Sequence, residues 1–128
     1  LDPKLVSQII SNLLKNSYEA LEEKNIEEKK YIRIFTKFNE KNQTVEVCIS
    51  DNGVGIAAVD QKNIFSPFFT TKASGTGLGL AQSMQLMDSF GGEIKFESVY
   101  GQGTSFRLIF PVSNSVNAVK AWNEEVLL

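Results

Sequence analysis

The chain has 128 residues, 42% apolar and 22% charged, with a net charge of −2, no histidine and one cysteine. That length fits a single domain with one core, and the near-neutral charge excludes a broad basic face for nucleic acid. The missing histidine excludes histidine metal sites, Ser–His or Cys–His nucleophile pairs and histidine general bases, and a lone cysteine excludes an internal disulfide.

Asp2-Pro3 opens a helix, with Asp2 as N-cap and Pro3 at the first helical position. Leu5, Val6, Ile9, Ile10, Leu13, Leu14, Ser17, Ala20 and Leu21 follow with helical spacing. The charged residues 22–30 end that helix as a solvated loop. Residues 31–38 and 44–50 read as a hairpin of two strands, the second alternating Val45, Val47 and Ile49 against Glu46, Cys48 and Ser50. In that setting Cys48 reads as a small buried residue. Residues 57–62 read as a short helix and residues 65–79 as a long Gly/Ser/Thr/Phe loop, a length usually reserved for function. A second helix over about residues 77–89 stops at Phe90-Gly91-Gly92. Strands over 93–98 and 104–110 form a second hairpin, and Pro111 closes the domain.

The domain therefore spans residues 1–112. Residues 113–128 are a tail with a helical-looking patch over 116–127, readable as a linker, a docking helix or an appended non-native stretch. No run approaches the roughly 18 apolar residues of a membrane span, and no signal peptide opens the chain. The start in mid-pattern reads as a fragment, with room for an anchor elsewhere. The order α-β-β-α-β-β predicts helices on one face of a mostly antiparallel sheet.

Four motifs carry chemistry. Asn12 and Asn16, four apart, lie ~40° apart on one face of the first helix, at the edge of its apolar stripe. Taken alone they either cap local backbone or form part of a site. Asp51-x-Gly53-x-Gly55 follows a strand: a carboxylate there accepts from an exocyclic amine such as adenine N6, and the glycines admit a flat base. The alternative is an ordinary Asp-Asn-Gly turn. Gly75-Thr76-Gly77-Leu78-Gly79-Leu80 enters the second helix, where backbone N–H groups favour phosphate. It is neither a dinucleotide fingerprint nor a Walker A loop. Residues 65–72, with Phe65, Phe68 and Phe69, need somewhere to bury their rings and end on Lys72, a surface cation or a phosphate neighbour.

In this order the motifs resemble the N, G1, F and G2 boxes and the final Gly-Thr element (Gly101 to Thr104) of histidine kinases, over about residues 2–111. The resemblance implies the Bergerat fold, an α+β, two-layer sandwich shared with DNA gyrase and the large heat-shock chaperone. It implies ATP and Mg²⁺ as ligands. Asp51 would bind the adenine amine, Gly53, Gly55 and Ile56 would line the base, and Thr104 would lie near it. Asn16 would hold Mg²⁺, with Asn12 beside the phosphates. The backbone of Gly77, Leu78 and Gly79 would meet phosphate, with Thr76, Leu80, Phe68 and Glu19 completing the nucleotide set. Residues 65–74 would be the lid. Catalysis would rest on Asn12, Asn16 and Lys72.

Two departures stand out. Many family members carry a cation three residues after the second asparagine; here it is Glu19, as in the nitrogen-regulation and sporulation kinases. Helix geometry points Lys15 elsewhere, which leaves Lys72 as the cation near the phosphates. The strand that usually precedes Asp2 is also missing. The resemblance implies a kinase that phosphorylates a histidine on a separate dimerisation domain for relay to a response-regulator receiver. The full-length protein would be a homodimer, this domain would be cytoplasmic, and there would be no nucleic-acid partner. Rival readings are a hydrolytic relative, a serine-directed kinase of the anti-sigma type and a nucleotide-sensing pseudokinase. Hydrolytic relatives place a glutamate where this chain has Asn12, and an amide is a poor general base.

Overall fold

The structure is a computed structural model that describes residues 2–25, 29–71, 75 and 77–112, and the backbone of 125–127. Helix α1 runs from Pro3 to Glu23, β1 from Ile32 to Asn39, β2 from Thr44 to Asp51, α2 from Ala58 to Gln61, and α3 from Gly79 to Ser89. Strands β3 (Glu93–Val99), β4 (Gly103–Pro111) and β5 (Glu125–Leu127) complete it.

Helix α1 begins where the sequence predicts. The Asp2 carboxylate accepts from the Lys4 amide at 2.9 Å, and Pro3 occupies the first turn, where a missing N–H costs nothing. Ile9, Leu13, Ser17 and Leu21 recur every four residues and form its buried stripe. The sheet has the order β3-β4-β2-β1-β5, and every pairing among the described residues is antiparallel. Its inward face packs Val47, Ile49, Phe106, Leu108 and Phe110 against Ile9 and Leu13 of α1 and Met87 of α3, with Ile64 joining from the segment after α2. The result is the two-layer α+β sandwich expected.

Two expectations change. Residues 125–127 are a strand paired with β1, through Arg33↔Leu127 and Phe35↔Glu125, and do not continue the helical pattern of 116–127. The open edge of β1 carries a row of unpaired backbone groups, and a short strand satisfies them better than a helix would. The sheet therefore draws on the 113–128 tail, the rest of which lies outside the described residues. The alternation of β2 also fails as a guide to the exposure of Glu46, which is buried along with Val45, Val47 and Ile49, while Cys48 is buried as expected. A central strand has neighbours on both sides, whose long side chains cover its outward face. Glu46 lies 3.1 Å from Lys37 Nζ and 3.6 Å from Arg107 Nη1, so its charge is paired on both flanks. Burial, and then the nearby Glu46 charge, push the Cys48 thiol up from its ordinary value, so it stays protonated and inert at neutral pH.

Leu108 and Arg107 are neighbours on β4 that face opposite layers, and Leu108 is fully buried. Leu108→Ala is expected to cost about 2–5 kcal/mol, and Arg107→Lys, which keeps a cation beside the buried Glu46, about 1 kcal/mol or less. Urea unfolding of the two variants, read as a shift in midpoint at constant slope, checks the layer assignment.

Candidate functional site

The inward face of the sheet changes character at one end. Reading across β1, β2, β4 and β3, one row is Thr36, Val47, Leu108, Ile94 and the next is Ile34, Ile49, Phe106, Phe96. The last row is Ile32, Asp51, Thr104, Ser98. Strand periodicity holds all three rows on the helix side, so Asp51 is forced toward the core and is only 6% exposed. Its carboxylate accepts from the Gly53 amide at 2.8 Å. Burial raises its pKa from the ordinary carboxylate range; the backbone N–H of Gly53, the Ser17 hydroxyl, the backbone N–H of Thr104 and the Lys24 charge pull it partly back. Ser17 Oγ is buried without a well-formed hydrogen bond.

A cleft of about 680 Å³ opens over this row. One wall is α1, presenting Asn12, Lys15, Asn16, Glu19 and Ala20. The base is Asp51, Thr104 and Phe106, and the far wall is residues 54–57 with Gly75 and residues 77–80. The loop after β2 is held on both sides at Val54, whose N–H donates to Ala20 O at 3.0 Å and whose carbonyl accepts from Gly101 N at 2.6 Å. Gly55 has φ +72°, and a Cβ there would fall on the Val99 carbonyl. Gly77 has φ +73°, and a Cβ there would strike the Phe68 backbone. Only glycine fits either place.

Asn12 donates through Nδ2 to Gly79 O and to Ser83 Oγ, both at 3.3 Å, so its amide ties α1 to the start of α3 and does not cap its own helix. The Asn16 amide has no hydrogen-bond partner among the described residues and faces the cleft. Among the described residues no side chain caps the N-terminus of α3, and that helix start, Leu78 to Leu80, lies at the cleft end.

Of the residues singled out from sequence, Asn12, Asn16, Glu19, Asp51, Gly55, Ile56, Gly77, Leu78, Gly79, Leu80 and Thr104 all line this cleft. Gly53 lies behind the wall, where a Cβ would meet Ala20 at 2.7–2.8 Å, and it serves through its N–H to Asp51. Phe68 is not on the wall; it is 74% exposed at φ +67°, and Phe69 takes the place on the wall. Phe65 packs edge-on against Phe96 and, with Phe69, joins the core, so those rings do have a burial site. Lys72 and Thr76 lie outside the described residues. Lys15 does line the cleft, contrary to the helical-wheel expectation, because its long exposed side chain reaches one turn toward the helix C-terminus, 3.9 Å from Glu19 on the cleft wall. Ser17, Ala20 and Tyr100 also line the cleft and were not singled out. Ser17 carried a signal: it is the one hydroxyl at a core position of the α1 stripe.

The raised pKa of Asp51 sets a sign for pH dependence. The unfolded carboxyl ionises near pH 4, about the ordinary value for an aspartate, and the folded one ionises at higher pH. Its burial therefore lowers stability as pH rises through the folded pKa. Asp51→Asn, neutral throughout, is expected to be at least as stable as the parent at about pH 7, with the difference vanishing below about pH 4. Paired denaturation curves across that range check it; a variant less stable at neutral pH than in acid, relative to the parent, would contradict the assignment.

Residues 1–114 match the family model described as histidine kinase-, DNA gyrase B- and HSP90-like ATPase. The signal transduction histidine-protein kinase AtoS of Escherichia coli (strain K12) is 41% identical over 117 residues, which is 91% of this chain and 18% of that protein. Sporulation kinase E of Bacillus subtilis (strain 168) is 34% identical over 97% of this chain and 16% of its own length. The chain thus spans about a fifth or less of these relatives. The solved catalytic domain of histidine kinase ThkA superposes with a TM-score of 0.70 at 33% identity, covering 86% of this chain and 68% of that one. The chain belongs to the histidine kinase-, DNA gyrase B- and HSP90-like ATPase family, as a histidine-kinase catalytic ATP-binding domain.

Proposed function

We propose that this domain binds Mg-ATP and delivers its γ-phosphoryl group to a histidine on a separate helical dimerisation domain, from which it passes to a response-regulator receiver. The observation that carries this reading is what the cleft lacks. It can seat a base and its phosphates, yet the amide of Asn12 stands where a hydrolytic relative would need a carboxylate base, and that amide is already engaged with α3. With no histidine in the chain, the acceptor comes from outside. No helix among the described residues is long and apolar enough to cross a membrane. The domain works on the cytoplasmic side, where ATP and receiver domains are found, in a full-length homodimer and without nucleic acid.

The assigned roles follow from chemistry. The Asp51 carboxylate accepts from the 6-amino group of adenine and repels a 6-oxo group; Gly53, Gly55 and Ile56 shape the loop over the base. The start of α3, through the backbone of Gly77, Leu78, Gly79 and Leu80 along the cleft, faces the phosphates. Thr76 and Lys72 add a hydroxyl and a cation there, and residues 65–74 close over the nucleotide, with Phe68 near it in that closed state.

The described cleft residues include four carboxylates (Glu19, Glu23, Asp51 and Asp60) but only one lysine, Lys15. A triphosphate in such a cleft needs a cation. The Asn16 amide oxygen, with Glu19 one turn on, offers the hard oxygen donors that suit Mg²⁺, which takes few protein ligands and completes its shell with phosphate and water. When bound, the metal would neutralise charge on the transferring group. Positioning and charge stabilisation are the work of such sites.

Calorimetry with Mg²⁺ is expected to show ATP binding well ahead of GTP, and Asp51→Asn is expected to lower ATP affinity roughly 10–100-fold. Equal affinity of the parent for ATP and GTP would overturn the role of Asp51. Asn16→Ala keeps the helix, since alanine is a good helix former. It is expected to cut transfer to a supplied acceptor-helix domain by about 100-fold or more, while nucleotide binding without metal changes far less. Transfer at the parent rate would remove the metal assignment.

A further inference from the structure

Behind the cleft wall, a single hydroxyl on β3 joins three groups. Ile56 N donates to Ser98 Oγ at 2.8 Å, Ser98 Oγ donates to Gly103 O at 3.1 Å, and Ser98 Oγ lies 2.8 Å from Thr104 Oγ1. Gln61 Nε2 clamps the same junction from α2, donating to Ile56 O and Ser98 O at 3.1 Å each. Ile56 and Thr104 line the cleft; Ser98 does not.

A serine hydroxyl has one proton and two lone pairs. Only one arrangement makes all three contacts hydrogen bonds. The Ser98 proton goes to Gly103 O, and the two lone pairs accept from Ile56 N–H and Thr104 O–H. Giving the Ser98 proton to Thr104 would leave the Gly103 carbonyl facing a lone pair. The Thr104 proton is therefore committed to Ser98, and the Thr104 oxygen has only lone pairs to offer the cleft. Asp51, its partner across the β2–β4 ladder, is likewise an acceptor when ionised.

We propose that Ser98 is a positioning residue that sets base specificity: by taking the Thr104 proton, it makes the floor of the cleft acceptor-only. The base edge that fits such a floor brings the two N–H groups of an exocyclic amine, and one that brings a carbonyl is rejected. This rests on the reading of the cleft as a nucleotide-base pocket.

The test is calorimetric titration with ATP and with inosine triphosphate, which carries a 6-oxo group in place of the 6-amino group. Ser98→Ala releases the Thr104 proton to meet a 6-oxo oxygen, and is expected to reduce the preference for ATP roughly tenfold. Ser98→Thr keeps the hydroxyl on a residue type that strands favour and is expected to restore it. In a Thr104→Val background, Ser98→Ala is expected to leave the preference unchanged, since there is no proton to release. If Ser98→Ala does not fold, Ser98→Cys, a weak acceptor of similar shape, gives the same comparison. Equal weakening of both nucleotides with an unaltered ratio would make Ser98 a mere brace and overturn the proposal, as would a ratio shift that persists without the Thr104 hydroxyl. A parent protein that binds neither nucleotide, or both equally, would instead remove the base-pocket reading beneath it.

Discussion

Asp51 occupies the last position of β2, still paired on both sides, with Ile32 of β1 and Thr104 of β4 as its neighbours. Strand periodicity turns its carboxylate inward, where the two rows before it are largely apolar. A charge there is costly unless it is hydrogen-bonded. The fold answers with the Gly53 amide, which turns back on the carboxylate because the chain leaves the strand at once. Ser17, beneath it on α1, is placed to favour the charged form without forming a complete bond. The result is a strong acceptor held in a desolvated position at the floor of a cleft, a state that disfavours folding at neutral pH and favours a ligand that supplies donors.

The rest of the cleft is built by tying loops to that point. The turn between β3 and β4 reaches the loop after β2 through Gly101 and Val54, and the end of α1 reaches it through Ala20. Lys24 Nζ donates to Asn52 O at 2.9 Å, while the Asn52 side chain accepts from Tyr31 N and donates to Lys29 O. The residue beside Asp51 thus fastens the chain on either side of the charged connection before β1. Asn12 performs the same service for the opposite wall, holding the start of α3 at the cleft end. The ties at Val54 are backbone to backbone, whereas those at Lys24, Asn52 and Asn12 spend a polar side chain on geometry.

The two faces of the sheet divide the labour. The inward face supplies the apolar burial that drives folding. On the outward face, Lys37 and Arg107 balance the charge of Glu46, one of whose oxygens has an ion pair but no hydrogen bond, and the Ser50 and Ser105 hydroxyls pair at 2.8 Å. This lets β2 be buried on both sides while presenting a carboxylate at its end.

Much of this was legible in the chain itself. The Asp2-Pro3 cap, the four-residue stripe of α1 and the period-two strands are local consequences of backbone geometry, so their residue types announce them. The Asp51-x-Gly53-x-Gly55 and Gly77-x-Gly79 patterns were legible for the same reason, since few other residues tolerate such turns. What the sequence could not decide is which side chains meet across the fold. The burial of Glu46 depends on cations from two neighbouring strands. The exposure of Phe68 and burial of Phe69 depend on a single positive φ set by contact with Gly77. The strand at 125–127 exists because the edge of β1 is open, a property of the sheet and not of those three residues. Ser98 looks like any polar strand residue until register places it beside Thr104 and the loop brings Ile56 to it. The local pattern determined which elements form and which motifs carry chemistry; only the tertiary pairing decided where each proton and charge is held, because hydrogen bonds and desolvation depend on neighbours distant in sequence.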